Sequence, residues 1–287
     1  AMTSKQTLSL GTGLHSQMQP YYVYFQQQPD GFGGYRRHNT DLGVSRSVHF
    51  VAGHDWYIGS SLRTRIEGYY QYLFNVPIDT FASSFSMLNQ GSGFDRYFPG
   101  KLVNEGTGRN LGLELTIEKF FSHNWFLLAT GSFFDSKYQG SDGRTYDTDF
   151  NSKFVANLLG TKEFNWGKKR KVTFGLGGKV TYAGGKRYSP LDTLASVAIG
   201  EAVIVNSERN TLQFPNYFRL DLKLYYRINA AKLTHEIGID LVNLTGQENL
   251  LRLQFVGGTQ VFAPVSQLGF LPIFYYRVNF AVGGGKG

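Results

Sequence analysis

The stretch Phe218-Arg219-Leu220-Asp221-Leu222-Lys223-Leu224-Tyr225-Tyr226-Arg227-Ile228 sets the fold class. Successive side chains of a strand point to opposite faces. Phe218, Leu220, Leu222, Leu224, Tyr226 and Ile228 therefore share one face, and Arg219, Asp221, Lys223, Tyr225 and Arg227 share the other. One face is apolar and its reverse is strongly charged. The same period recurs outward from this segment. Leu111, Leu113, Leu115 and Ile117 alternate with Gly112, Glu114, Thr116 and Glu118, and Leu233, Ile237, Ile239 and Leu241 with Thr234, Glu236, Gly238 and Asp240. Val172, Phe174, Leu176, Gly178, Val180 and Tyr182 oppose Thr173, Gly175, Gly177, Lys179 and Thr181.

About ten such segments are predicted, near residues 6–18, 39–50, 60–74, 109–121, 124–138, 149–164, 171–183, 216–229, 232–244 and 270–280. Most exceed the five or six residues usual in soluble strands and match the roughly nine to eleven that a tilted strand needs to cross a bilayer. The connections alternate in size. Short links are expected at residues 51–59, 122–123, 165–170 and 230–231, and long ones at 19–38, 75–108, 139–148, 184–215 and 245–269. A soluble sandwich has no reason to sort its loops this way, whereas outer-membrane barrels place short turns on the periplasmic side and long loops outside. Aromatic residues at strand ends (Tyr69, Tyr70, Tyr72 and Phe74; Phe120, Phe121 and Trp125; Phe274, Tyr275, Tyr276 and Phe280) suit the two headgroup-level girdles.

Composition excludes several classes. The 287 residues include no Cys, 35 Gly, 18 Tyr and 24 Phe, only 17% are charged, and the formal net charge is +8. Soluble domains average about 25% charged residues and about 7% Gly. The absence of Cys removes disulfide scaffolds and thiolate zinc sites. No run of twenty apolar residues exists, so no helix of the sequence is fit to cross a bilayer. The start, Ala1-Met2-Thr3-Ser4, has no basic-then-apolar signal segment and looks like a cloning scar or an internal cut. The one basic run, Lys168-Lys169-Arg170-Lys171, falls at an expected turn and carries no nucleic-acid motif, so no nucleic-acid partner is expected.

Two stretches carry a family resemblance. Gly13-Leu14-His15-Ser16-Gln17-Met18-Gln19-Pro20 resembles a segment in the barrel of TonB-dependent outer-membrane receptors, and Phe270-Leu271-Pro272-Ile273-Phe274-Tyr275-Tyr276-Arg277-Val278-Asn279-Phe280 resembles their last strand. Glu67-Gly68-Tyr69-Tyr70-Gln71-Tyr72-Leu73-Phe74-Asn75-Val76-Pro77 is similar to the family's strand leading into a large external loop. The resemblance implies an all-β, antiparallel transmembrane barrel in the outer membrane of a Gram-negative bacterium. It further implies a role as the C-terminal part of a nutrient-uptake receptor, because the family's barrel has twenty-two strands, a plug domain and a coupling box. The implied partners are outer-membrane lipid, the remainder of the barrel with its plug, a TonB-type coupling protein reached through that N-terminal part, and a surface lipoprotein at the mouth. Residues 1–280 are read as barrel segment and 281–287 as a flexible Gly-rich tail. The rival readings are a complete small barrel acting as passive pore or adhesin, and a soluble ligand-binding β protein.

No enzyme, cofactor or metal is expected. Gly283-Gly284-Gly285-Lys286 lacks the spacing and the helix of a phosphate loop, and Gly175, Gly177 and Gly178 sit within a strand, where glycine permits curvature or close packing. The six His residues are scattered. Asp142, Asp147 and Asp149 fall in one external loop, read as solvated or a weak cation site, and His235 lies at the opposite end of the wall, too far for shared acid–base work. Arg63, Arg65, Glu67, Glu114, Glu118, Arg219, Asp221, Lys223 and Arg227 are expected to line the lumen, and Phe94, Arg96, Tyr97, Lys186, Arg187 and Tyr188 to meet ligand from the external loops.

Overall fold

In a computed structural model, which describes residues 3–90, 99–167, 171–230, 233–256 and 261–280, the alternating segments form one antiparallel sheet. Its ten wall strands are β1 (Gln6–Gln17), β2 (Ser45–Ile58), β3 (Leu62–Asp79), β4 (Leu102–Ser122), β5 (Trp125–Gln139), β6 (Phe154–Trp166), β7 (Val172–Ala183), β8 (Tyr217–Asn229), β9 (Leu233–Val242) and β10 (Leu271–Phe280). Each pairs with the next in sequence, and a short strand, Thr145–Asp147, adds to the outer end of β5. Among the described residues β1 and β10 each have one neighbour, so the sheet they form is an open wall and not a closed barrel.

Several expected boundaries are corrected. The second strand occupies Ser45–Ile58 instead of 39–50, so its expected link, 51–59, is mostly strand and the turn is residues 59–61. β3 runs on to Asp79 and β4 starts at Leu102, because the two continue pairing beyond the wall through register shifts at Leu73/Val76 and Val76/Ile78. β6 starts at Phe154 because residues before it fold into the loop. The sorting of connections holds: short turns lie at one end and long loops at the other. The tightest turn, His123-Asn124, has φ of 53° and 63°, the two left-handed residues that match the twist of a two-residue hairpin. Lys168, Lys169, Arg170 and the tail 281–287 lie outside the described residues.

Register gives every strand the same apolar face. Phe50 lies opposite Tyr70, Leu113 opposite Phe133, Ile239 opposite Phe274 and Ile237 opposite Tyr276, and all eight belong to one face of the sheet. That face is exposed: Leu10 is 78% accessible, Phe133 68% and Ile237 60%. A patch this large on a monomer marks a surface built to meet another apolar phase. Trp56, Trp125, Phe164, Trp166 and Tyr226 ring its end near the short turns, and Tyr70, Tyr72, Phe133, Phe154 and Tyr182 its end near the long loops. Tyr69 and Tyr275, expected in these girdles, belong instead to the polar face.

Close packing occurs elsewhere. The buried apolar residues Val23, Tyr24, Val76, Ile78, Leu102, Tyr138, Tyr146 and Phe214 gather where loops fold over the outer rim. A single sheet layer has no core of its own, so the loops supply one.

Leu222 sits on the apolar face midway between the two aromatic ends of β8, and Lys223 on the reverse, where it pairs with Asp240 at 2.8 Å. Unfolding followed in micelles should show Leu222→Arg costing about 2 to 4 kcal/mol. Lys223→Ala, at a half-exposed pair, should cost at most about 1 kcal/mol. A larger loss for the lysine would mean that the wall is inside out.

Candidate functional site

The polar face concentrates charge near the short turns. On β2 to β4, Arg63 donates to Asp55 through Nε at 2.8 Å, with Glu118 3.7 Å from its other arm. Arg65 reaches Asp55 at 3.5 Å and donates to Glu67 through Nε at 2.6 Å. Glu67 stands directly opposite Glu114, a like-charge pairing that the Arg65 guanidinium offsets. On β6 to β10 a second network forms around Glu236, whose side chain is 4% exposed. Arg227 donates to it at 2.8 Å and Tyr275 at 3.0 Å, and Arg277 lies 3.6 Å away. Arg227 also reaches Glu163, which accepts from the Tyr225 hydroxyl at 2.6 Å.

Two tyrosines are placed there by glycine. A Cβ on Gly175 would stand 2.0 Å from Tyr225 Cζ, and one on Gly238 2.5 Å from Tyr275 Cζ. Each ring lies across the glycine that faces it, which only glycine permits; Tyr225 carries its hydroxyl over Gly175 to Glu163 on the strand beyond, and Tyr275 carries its own to Glu236, two residues from Gly238.

On β2 to β5 charge gives way toward the outer end to neutral polar groups. Thr148 Oγ1 donates to Ser136 Oγ at 2.9 Å, Ser136 to Asn110 Oδ1 at 2.6 Å, Asn110 Nδ2 to Gln71 Oε1 at 2.7 Å, and Gln71 Nε2 to His49 Nε2 at 2.7 Å. The last donor fixes His49 as the tautomer carrying its proton on Nδ1. The His15 ring meets His49 edge-on at 4.7 Å, and a cavity of about 380 Å³ opens beside them under Met87 and Leu88.

The external loops are tied by buried amides. Asn89 and Asp149 exchange hydrogen bonds of 2.7 and 2.6 Å, and Asn210 donates to the same Asp149 carboxylate at 2.7 Å. Fully buried Asn151 donates to Asp135 at 3.1 Å and to Asp147 at 2.5 Å. Asn39 bridges Gly100 and Leu102 at 2.8 and 2.9 Å. The acidic loop is therefore not a solvated run. Asp147 faces Lys153 and Arg187, each at 3.7 Å, and Asp142 accepts from Tyr146, whose phenol burial and that carboxylate push up to about 12.

All nine residues expected at the lumen lie on the polar face: Arg63, Arg65, Glu67, Glu114 and Glu118 in the first network's sector, and Arg219, Asp221, Lys223 and Arg227 on β8. Arg219 pairs with Asp221 at 2.7 Å along its own strand. Sequence reading passed over Asp55, which falls in a segment expected to be a link, and over Glu163, Glu236 and Arg277, although each sits at a polar position of its alternation. Among the loop residues, Arg187 is engaged with Asp147 and with the Asn151 carbonyl at 3.2 Å, Tyr188 stacks on Phe214 at 4.2 Å, and Lys186 lines a cavity of about 370 Å³ with Phe150 and Tyr217. Phe94, Arg96 and Tyr97 lie outside the described residues.

Comparison with known proteins places this wall. The chain is similar to the ferric-catecholate import receptor Fiu from K12 E. coli, with a TM-score of 0.58 and 13% identity over 97% of this chain and 34% of that one. It is similar to BauA, the ferric preacinetobactin receptor from Acinetobacter baumannii, with a TM-score of 0.58 and 14% identity over 96% and 34%. The copper transporter OprC gives a TM-score of 0.57 and 16% identity over 97% and 38%. The chain thus spans about a third of the length of the solved structures it matches, and at these identities the likeness establishes the fold. No curated protein sequence matches it. The family model described as TonB dependent receptor-like, beta-barrel, matches residues 6–247, and the chain belongs to that family.

Proposed function

We propose that this chain is part of the wall of an outer-membrane receptor that imports a scarce nutrient by energy coupling. The observation that carries the reading is the two-faced open sheet: an exposed apolar face with aromatic ends, a reverse face of paired charge, and two edges with one neighbour each. In lipid an unpaired strand edge costs several kcal/mol per backbone group, so both edges call for further strands. The family's members are transport receptors of Gram-negative outer membranes, and no catalytic role is proposed. The cargo we favour is a metal ion or metal chelate, on the strength of the similar structures' printed ligands. The working partners would be outer-membrane lipid, the rest of the barrel with a plug, and a TonB-type coupling protein.

The purified chain should require detergent and give a β-type circular dichroism spectrum; monodisperse solubility in plain buffer at high concentration would refute the membrane assignment. Energy coupling needs a movable plug and a segment for the motor to grip, and ten wall strands with five long loops already account for most of these residues. Liposomes containing this chain alone should therefore show no motor-dependent accumulation of a ferric chelate or of copper. A reproducible motor dependence would overturn the reading of the chain as one part of a larger receptor.

A further inference from the structure

The cavity beside His49 is roofed by residues that its own hydrogen-bond chain helps to hold. Met87 and Leu88 cover it from a single 3₁₀ turn, Met87–Asn89, while His15, His49 and Gln71 line it from the wall. Asn89, the last residue of that turn, exchanges hydrogen bonds with Asp149. Asn210 donates to the Asp147 carbonyl at 2.8 Å and to the Asp149 carboxylate at 2.7 Å. Thr148 lies between these two anchors, is buried, and its hydroxyl begins the chain that ends on His49. Roof, loop knot and chain therefore close on the same cavity.

The chain has a direction, and His49 sets it. Its Nε2 accepts from Gln71, so Gln71 Oε1 accepts from Asn110, Asn110 Oδ1 from Ser136 and Ser136 Oγ from Thr148. An imidazolium has no acceptor nitrogen. Its Nε2–H would confront the Gln71 N–H at 2.7 Å, while Ser47 Oγ, 2.9 Å from the same nitrogen, stands ready to accept. Gln71 would then have to turn its carbonyl toward His49, and Asn110 and Ser136 to reverse after it. The last link fails. Ser136 would donate to Thr148, whose one hydroxyl partner among the described residues is Ser136 itself, leaving a buried hydroxyl hydrogen without an acceptor.

Little around His49 favours a positive charge. The titratable group facing it from β1 is His15, whose ring meets it edge-on, and Arg46 of its own strand lines the same cavity. β3 brings Gln71 and, next below on that face, Tyr69, whose hydroxyl lies over Gly112 of β4. The 3₁₀ turn brings Met87 and Leu88. The nearest carboxylates down the polar face of β2 and β3 are Glu67, opposite Gly53, and Asp55, and both are engaged by Arg65.

We infer that His49 is a proton-operated latch on the outer loops: its protonation reverses the chain, unseats Thr148 and releases the turn that roofs the cavity. Histidine changes charge between about pH 5 and pH 8. The closed arrangement belongs to the neutral ring, so the roof is held at the upper end of that range and loosened as pH falls. The latch follows from the fold; its meaning, an outer mouth that acid opens, rests on the receptor reading above.

The test follows amide hydrogen exchange by mass spectrometry in the full-length protein that carries this sequence, in micelles, from about pH 8 to about pH 5.5, with rates divided by their intrinsic values at each pH. Peptides from residues 83–90 and 139–153 should lose about fivefold in protection on acidification, the effect of one unmade buried hydrogen bond, and peptides from β8 should not change. His49→Gln and Thr148→Val, which remove the titrating ring and the last link, should each abolish the dependence, whereas His15→Gln should keep it. Protection independent of pH in the unaltered protein, an equal loss in β8, a dependence that survives His49→Gln or Thr148→Val, or one that disappears in His15→Gln would overturn the proposal. If His49→Gln does not fold, Gln71→Met cuts the chain beside an intact His49 and should abolish the dependence; its persistence would overturn the latch equally. Failure of the receptor reading looks different: neither a ferric chelate nor copper would bind at any pH, while the loops would still follow His49.

Discussion

The structure depends on the hydrogen-bonding appetite of an extended backbone where water is scarce. Each strand has to be paired along its length, so the ten segments form one continuous ladder from β1 to β10. Pairing alone leaves register free, and a slip of one residue would turn every leucine of a strand to the polar side. The nine interfaces agree in phase: apolar residues meet apolar ones across β1 to β10, as in Leu14–Val48, Leu158–Val180 and Leu233–Phe280. Tight turns hold this agreement, none more than His123-Asn124, where two left-handed residues leave little freedom for a shift.

A wall one layer thick has to neutralise its polar side within itself. Near the short turns it does so by sharing carboxylates: Asp55 serves Arg63 and Arg65, and Glu236 serves Arg227, Arg277 and Tyr275. Partly exposed pairs of this kind contribute about 1 kcal/mol or less apiece. Removing one member of the buried Glu236 group is a different matter, because it strands a charge with little water to solvate it. Nearer the loops, β2 to β5 turn to hydroxyls and amides running in one direction from Thr148 to His49. That chain ties an external loop to the polar face across four strands, β5 to β2, with no net charge to desolvate.

The loops complete what the sheet lacks. Asn89, Asn151 and Asn210 are buried because each satisfies several groups at once, and Asp149 joins two of them across segments far apart in sequence. Arg187 and Tyr188 lie among these contacts, on Asp147 and Phe214, which makes them part of what shapes the outer mouth.

The alternation of residues 218–228, the ten segments and the sorting of short and long connections were legible because each is local: a period of two and a turn composition are visible within a dozen residues. The short words near Gly13 and Phe270 pointed to the family for the same reason. Strand ends were less legible, since the pairing that carries β2 to Ile58 or β3 to Asp79 belongs to a neighbouring strand. Asp55 was lost with the first of these boundaries. Partnership was not legible at all: Glu163 meets Tyr225 from 62 residues away, and Asn89 meets Asp149 from 60. The sequence by itself determined a two-faced sheet of about ten antiparallel strands, because side-chain alternation is a property of each strand alone. Only the tertiary structure decided which charge meets which, where the core gathers and that the wall stays open, because those depend on register and reach between segments that no local pattern encodes.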